Sequence, residues 1–231
     1  MGLTKKNFKI DKGNRAKEII INEAVIPNFT IETSWDDGGL LDIRIASILK
    51  KYKLPAVFYI IMDKVGQEGF LTWEQIKDLE KQGFEIGSHT MSHSADLKVL
   101  YDEDLHYEVQ TSKDILEAVL GHPVSKFCYP RGRFDKRVQE FVMNANYIEA
   151  RSTGIPGKLV VEDKYAIPGT IHIFQRPEYK DVPVLEFAKQ TIDRAVKEGG
   201  YINVWGHSAE INKNNLWDVL DEVLAYANSK I

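Results

Sequence analysis

The chain is poor in cysteine, in long apolar runs and in basic clusters. Cys128 is the only cysteine among 231 residues, so a disulfide within the chain is excluded and a reducing compartment is compatible. No stretch approaches the roughly 20 apolar residues that a membrane-spanning helix needs. The first thirty residues are rich in lysine and lack the apolar centre of a secretion signal. We therefore expect no transmembrane segment and, if the N-terminus is native, a cytoplasmic protein.

Composition also limits the partners. The net charge is −4 and the isoelectric point is near 5.9, and without a basic run this argues against a nucleic-acid partner. Hydrophobic residues make up 43% of the chain, enough for a sizeable core. No linker or repeat divides the sequence, which favours one domain. We predict a polar N-terminal arm over residues 1–18, with a short strand possible at 18–22, and a folded domain over residues 19–231.

Strand-like and helix-like segments alternate along the chain. Apolar runs such as residues 55–61 are typical of buried strands, whereas residues 40–52 and 102–120 carry apolar side chains at helical spacing. Strands alternating with helices predict a parallel sheet with right-handed crossovers. Polar clusters follow the strands at their C-terminal ends, which favours a distorted (β/α) barrel of seven to eight mostly parallel strands. A doubly wound open sheet is the alternative.

Two polar clusters could carry chemistry. Asp36 and Asp37 follow an apolar run and precede two glycines; neighbouring strand residues point to opposite faces, so the two carboxylates can serve different tasks. His89 and His93 follow a second short strand at a spacing that suits two ligands of one metal ion. Two imidazoles and one carboxylate leave open positions on zinc or a similar divalent ion, as a hydrolytic site requires.

Four segments together give the chain a family resemblance. They read Ser-Trp-Asp-Asp-Gly at 34–38, Ser-His-Thr-Met-Ser-His at 88–93, Phe-Cys-Tyr-Pro-Arg-Gly at 127–132 and Trp-Gly-His-Ser at 205–208. In order and position they resemble the motifs of the polysaccharide deacetylases, the NodB-homology group called carbohydrate esterase family 4. The resemblance covers residues 30–210 and independently implies a distorted (β/α) barrel.

The resemblance implies a role for each motif residue. Asp37, His89 and His93 would bind one divalent metal, zinc by preference and cobalt or nickel as alternatives. Asp36 would be the general base that activates a metal-bound water, and His207 the general acid that protonates the leaving amine. These roles agree with the ability of a metal to acidify water and with the near-neutral titration of histidine.

The third motif departs from the commoner family pattern. Many members have an arginine before the proline, where it orients the catalytic aspartate; here Tyr129 precedes Pro130. A subgroup with a Tyr-Pro-x-Gly motif has that arginine on the next strand, which would make Arg151 the partner of Asp36, and Arg131 is the alternative. We further expect Tyr129, Arg131 and Trp205 to contribute to substrate binding.

Together these features predict a metal-dependent hydrolase that removes an N-acyl group, by preference N-acetyl, from an amino sugar in a glycan or glycan precursor. Two other interpretations stay open. One is hydrolysis of a non-sugar linear or cyclic amide, and the other is a catalytically silent carbohydrate-binding relative. The sequence does not indicate an oligomeric state.

Overall fold

The computed structural model describes residues 29–231. The polar arm predicted for residues 1–18 and the possible strand at 18–22 lie outside the described residues. Among residues 29–231, no helix is both long enough and apolar enough to cross a membrane.

One parallel sheet organises the described residues. Its seven strands lie in the order β5-β4-β3-β2-β1-β7-β6, and every neighbouring pair is parallel. The strands are β1 Phe29–Trp35, β2 Ala56–Ile60, β3 Glu85–Ser88, β4 Lys126–Cys128, β5 Glu149–Arg151, β6 Ile171–His172 and β7 Gly200–Gly206. Every residue of β2 is buried, because helices cover the outside of a parallel sheet while side chains fill its inside.

Within the described residues, helices follow every strand of this sheet except β5. They are α1 Asp42–Tyr52, α2 Trp73–Lys81, α3 Asp102–His106, α4 Ser112–Leu120, α5 Lys136–Asn144, α6 Val184–Glu198, α7 Ser208–Lys213 and α8 Trp217–Asn228. Capping follows the sequence signals. Thr72 and Gln75 form a capping box at the start of α2, and the Asp135 carboxylate accepts the Val138 N–H at 2.9 Å at the start of α5.

The sheet curls into a distorted barrel. After β5 the chain runs along that edge, where the Ile167 N–H donates to the Ala150 carbonyl at 2.9 Å and the Ser152 N–H donates to the Ile167 carbonyl at 2.7 Å. A few residues later the same segment becomes β6 and pairs with β7. One segment therefore contacts both edges of the sheet in turn. The predicted fold class is confirmed, and the open doubly wound sheet is not what forms.

The structure adds two features to the predicted elements. The helix predicted over residues 102–120 contains a π-helical turn, Tyr107–Thr111, between α3 and α4. A short helix, α7, begins immediately after His207, where the sequence analysis placed no element. Between residues 165 and 174 the chain forms β6 and an isolated bridge between Ile167 and Arg151. Both added features border the site described next.

Candidate active site

The two adjacent aspartates lie at the C-terminal end of β1. The Asp36 N–H donates to the Gly206 carbonyl at 3.0 Å, which continues the pairing of β1 with β7 by one residue. Asp36 is buried. Asp37 has a φ of 79° and Gly38 one of 71°, so the chain turns sharply here and directs the two carboxylates differently. The left-handed conformation suits the aspartate and glycine that occupy it.

Asp37, His89 and His93 converge on one point. The Asp37 Oδ1 atom lies 3.6 Å from the Nε2 of His89 and 3.8 Å from the Nε2 of His93. These distances exceed hydrogen-bond length but match the spacing of atoms that share a small metal ion about 2 Å from each. The Asp37 Oδ1 atom is buried and has no hydrogen-bond partner among the described residues. The donor set and this unpartnered oxygen fit a divalent ion such as zinc.

His89 is held in the form that a metal ligand requires. Its Nδ1 atom lies 2.8 Å from the Cys128 carbonyl oxygen; since a carbonyl only accepts, Nδ1 carries the proton and Nε2 presents its lone pair to the cluster. Burial lowers the pKa of His89 to about 4, against the opposing effect of Asp36 and Asp37. The ring is therefore neutral near pH 7.

Asp36 is paired with a buried arginine. The Arg151 guanidinium contacts both carboxylate oxygens of Asp36 and is itself 2% exposed. Burial alone would raise the pKa of Asp36, but the positive charge of Arg151 lowers it to about 2, together with His89 and His207, which are both protonated at the acidic pH where Asp36 titrates. Arg131 lies elsewhere, exposed on the turn after β4, where its carbonyl accepts the Thr153 hydroxyl at 3.2 Å. Of the two arginines considered from the sequence, Arg151 is the one that contacts Asp36.

His207 follows β7 and is paired with a carboxylate that the sequence analysis did not select. Its Nδ1 atom lies 3.3 Å from Oε2 of Glu210, and the same oxygen lies 2.9 Å from Nε2 of His172. Burial lowers the pKa of His207, but Glu210 and the charges of Asp36 and Asp37 raise it to about 9. The pKa of Glu210 falls to about 2, because the two histidines outweigh its burial. His207 is therefore protonated near pH 7.

The residues predicted to bind substrate are placed differently from one another. Trp205 lies beside the site, with His172 stacked on its indole at 3.9 Å between ring centres and the Arg151 guanidinium 4.8 Å from the ring centre. Tyr129 is fully buried, and its hydroxyl donates to the Tyr165 carbonyl at 3.0 Å. The Tyr129 ring therefore supports the site from within the core, and Trp205 is also buried, at 3% exposed.

Asp42 is a second carboxylate that sequence reasoning missed. It is fully buried near the start of α1, and neither oxygen has a well-aligned hydrogen-bond partner among the described residues, although the Ser208 hydroxyl lies beside it. Burial raises the pKa of Asp42 to about 8 despite Ser208, and the negative charges of Asp37 and Asp36 add to this. Asp42 is therefore uncharged near neutral pH.

The missed residues had weak sequence signals. Glu210 lies three residues after His207, which the sequence did indicate, but this spacing brings side chains together only on a helix, and α7 was not predicted. Asp42 occupies a common position for an acidic residue in the first turn of a helix, so nothing in its neighbourhood distinguished a buried carboxyl from an exposed one.

Comparison with protein-family models decides the family. The model described as polysaccharide deacetylase matches residues 27–150, which is more than half of the chain and includes the first three motifs. The chain belongs to the polysaccharide deacetylase family. The resemblance drawn from the four motifs is therefore confirmed at the level of the family.

Two curated proteins show how far the similarity of this polysaccharide deacetylase domain extends. It is 28% identical over 115 residues to YxkH of Bacillus subtilis, which is assigned to the polysaccharide deacetylases; the match spans 49% of this chain and 41% of YxkH. It is 29% identical over 124 residues to the peptidoglycan-N-acetylglucosamine deacetylase of Bacillus cereus, spanning 51% of this chain and 53% of that protein. The matched region is thus about half the length of these relatives.

Solved structures extend the likeness to the rest of the fold. A protein of Bacillus anthracis described as a pseudoenzyme of carbohydrate esterase family 4 superposes with a TM-score of 0.56 at 18% identity. The superposition covers 84% of this chain and 61% of that one. At this identity the likeness establishes the polysaccharide deacetylase fold alone.

Proposed function

We propose that this polysaccharide deacetylase is a metal-dependent hydrolase that removes an N-acyl group, by preference N-acetyl, from an amino sugar in a glycan or glycan precursor. The proposal rests on one observation: three groups of polar side chains lie together at the C-terminal edge of one sheet. The Asp37, His89 and His93 cluster, the buried Asp36 carboxylate and the protonated His207 all lie where β1, β3 and β7 end. Hydrolysis of an amide by a metal-activated water uses a metal site, a general base and a general acid.

Asp37, His89 and His93 would hold one divalent ion, zinc by preference and cobalt or nickel as alternatives. Bound there, the ion would polarise the acyl carbonyl and lower the pKa of a water molecule. The side chains are already oriented as ligands: the Cys128 carbonyl accepts the His89 Nδ1 proton, and both imidazoles direct Nε2 towards Asp37.

Asp36 is the candidate general base. One of its carboxylate oxygens lies within 4.8 Å of a ring nitrogen of His89, so it borders the metal cluster without being one of the three proposed ligands. The pairing with Arg151 keeps Asp36 ionised and fixes its direction. An ionised, oriented carboxylate beside the cluster can accept the proton of the attacking water.

His207 is the candidate general acid. Glu210 accepts the Nδ1 proton of His207 and so determines which ring nitrogen is left for the reacting groups. Because the pKa of His207 is raised to about 9, the imidazolium form is present at neutral pH and can give its proton to the departing amine. Trp205, stacked on His172, supplies an aromatic wall near the same edge.

The first test is the metal content of the purified chain. We expect about one zinc, cobalt or nickel ion per wild-type chain by elemental analysis, and loss of that ion in the double variant His89→Ala/His93→Ala. A matched control replaces two exposed histidines, His106→Ala/His122→Ala, and should keep the ion. A wild-type chain that binds no divalent metal after reconstitution would remove the basis of this mechanism.

The substrate is tested by amine release from a panel of N-acetylated amino-sugar oligomers, with linear and cyclic non-sugar amides beside them. We expect turnover of the sugars and its loss in Asp36→Asn. Turnover of the non-sugar amides alone would support the alternative hydrolase. Metal binding with no turnover on either panel would favour a catalytically silent carbohydrate-binding protein, a possibility that the fold leaves open because a pseudoenzyme shares it.

A further inference from the structure

The loop that carries the two histidines has an unfavourable backbone. Thr90 has a φ of 69° and His93 one of 59°; histidine is found in the left-handed region more often than most residues, but a β-branched side chain such as that of Thr90 disfavours it. A β-branched residue is strained in this region and persists there only when its surroundings hold it. The position of His93 relative to His89 therefore depends on contacts made to this loop from outside.

Glu108 makes two of those contacts. Its Oε2 atom accepts the Ser92 N–H at 3.0 Å, and its Oε1 atom accepts the Ser92 hydroxyl. Ser92 lies between the two histidines in sequence, next to His93. Glu108 is 6% exposed on the inner face of its helix, beside Leu105 and Val109. A buried carboxylate among apolar neighbours is costly unless it is hydrogen-bonded, so Ser92 is the contact that accounts for its presence.

The π-turn at Tyr107–Thr111 is the element that carries Glu108. A π-turn contains one extra residue and frees carbonyls from the regular helix pattern. Here the Val109 carbonyl is instead satisfied by the Ser112 hydroxyl at 2.9 Å and the Tyr147 hydroxyl at 3.3 Å. The irregular turn is therefore stabilised by side-chain hydrogen bonds rather than left strained.

The same helix contacts the start of the loop as well. The Ser112 hydroxyl lies 2.8 Å from the Ser88 hydroxyl, and the Ser88 hydroxyl accepts the Thr90 N–H at 3.2 Å. Glu108 holds the Ser92 end, and Ser112 holds the Ser88 end. The helix thus fixes both ends of the segment that presents the histidines.

We propose that Glu108, carried on the π-turn, is a positioning residue for the metal-binding loop: it sets the affinity for the ion through Ser92 and takes no part in the reaction. This rests on the proposed metal site of Asp37, His89 and His93. Removing an outer partner of a metal ligand commonly lowers metal affinity by about 10–100-fold. Glu108 acts one step further out, through the backbone next to His93, so we expect the lower end of that range.

The test measures zinc affinity by competition with a chromogenic chelator, without substrate, alongside the melting temperature of the zinc-free chain. Glu108→Ala should weaken zinc binding about tenfold, and Ser92→Ala by less because the N–H contact remains. The double variant should bind zinc about as weakly as Glu108→Ala, since both changes remove one shared interaction. The control Glu103→Ala alters an exposed glutamate of the same helix and should leave affinity within twofold.

The conservative change Glu108→Gln keeps one acceptor and provides a second variant in case Glu108→Ala does not fold. It should weaken zinc binding less than Glu108→Ala does. Unchanged zinc affinity in the folded variants, with only a lower melting temperature, would overturn the proposal while leaving the proposed function intact. Strictly additive effects of the two single changes would also overturn it. A wild-type chain that binds no zinc would overturn both this proposal and the proposed function. Wild-type binding without turnover would count against the proposed function alone.

Discussion

At the scale of single residues, the site depends on charged groups held in pairs, one of them buried and the other partly exposed. Asp36 with Arg151 and His207 with Glu210 are the two pairs that matter for the proposed reaction. Each pair fixes the charge state of its acid–base residue near pH 7: the lowered pKa keeps Asp36 ionised, and the raised pKa keeps His207 protonated.

Glu210→Gln should change the pH dependence of deacetylation. A general acid must be protonated, so kcat/KM falls as the pH rises through the pKa of His207. The substitution keeps an acceptor but removes the negative charge that raises this pKa, so we expect the alkaline limb to move to lower pH by about one unit. The measurement is the pH profile of kcat/KM between pH 6 and 10, on the substrate that the panel identifies.

The control for this change is Glu103→Gln, on an exposed glutamate, which should leave the profile where the wild type has it. An alkaline limb that stays in place in Glu210→Gln would show that the limb reports a group other than His207.

At the scale of elements, the site depends on short turns that follow the strands. Few residue types fit the backbone conformation and the close contacts of these turns. The turn after β4 contains Gly132 with a φ of 66°, and a β-carbon built there would lie 2.6 Å from the backbone nitrogen of Thr153. Thr153 follows Arg151 by two residues, so this close approach joins the third motif to the segment that carries the partner of Asp36.

Gly132→Ala should therefore destabilise the protein more than the same substitution does at a left-handed glycine with open space around it. Gly121, which ends α4 with a φ of 84° and has open space around its β-position, is the matched control. Gly121→Ala should cost about 1 kcal/mol from backbone conformation alone. Gly132→Ala should cost about 2–4 kcal/mol, because steric overlap with the Thr153 backbone is added.

Urea unfolding at pH 7 measures both changes, through the midpoint at an unchanged slope. Equal losses in the two variants would mean that the segment at Thr153 moves aside readily, and that the close approach does not hold Arg151 in place.

At the scale of the whole molecule, one buried carboxyl should make the stability of the protein depend on pH. Burial is the main cause that raises the pKa of Asp42 to about 8 in the folded chain, against the ordinary value of 3.8. Between these values the unfolded chain releases the proton that the folded chain retains. The Asp42 contribution to the free energy of unfolding therefore falls as the pH rises from about 4 to about 8.

Asp42→Asn should remove that contribution. In metal-free protein, the stability of the variant relative to the wild type should rise between pH 5 and pH 8 by up to about 4 kcal/mol, at 1.36 kcal/mol per pH unit. The difference between the two proteins is the quantity to compare, because His207 also loses stabilisation as the pH rises above its unfolded value. Urea unfolding in a chelating buffer at several pH values measures it.

Asp104→Asn, at an exposed position, is the control and should show a constant difference from the wild type. If the Asp42→Asn difference is also constant across the range, Asp42 is ionised in the folded protein and must have a partner that keeps it so.

Much of this molecule follows from the sequence alone. The spacing of apolar residues predicted the alternating strands and helices, because that spacing reflects which faces of an element are buried. The position of the site followed as well, since all strands of a parallel barrel end at the same edge. The motif residues at 36–37, 89, 93 and 207 indeed meet there.

Only the tertiary structure decided which side chains pair. Asp36 and Arg151 are 115 residues apart, and whether Arg131 or Arg151 reaches the aspartate depends on strand order and on the direction of a turn. Glu108 and Asp42 look like surface residues in the sequence, since an acidic residue on a helix is usually solvated. Their burial depends on what packs over the helix, and that information lies in distant parts of the chain.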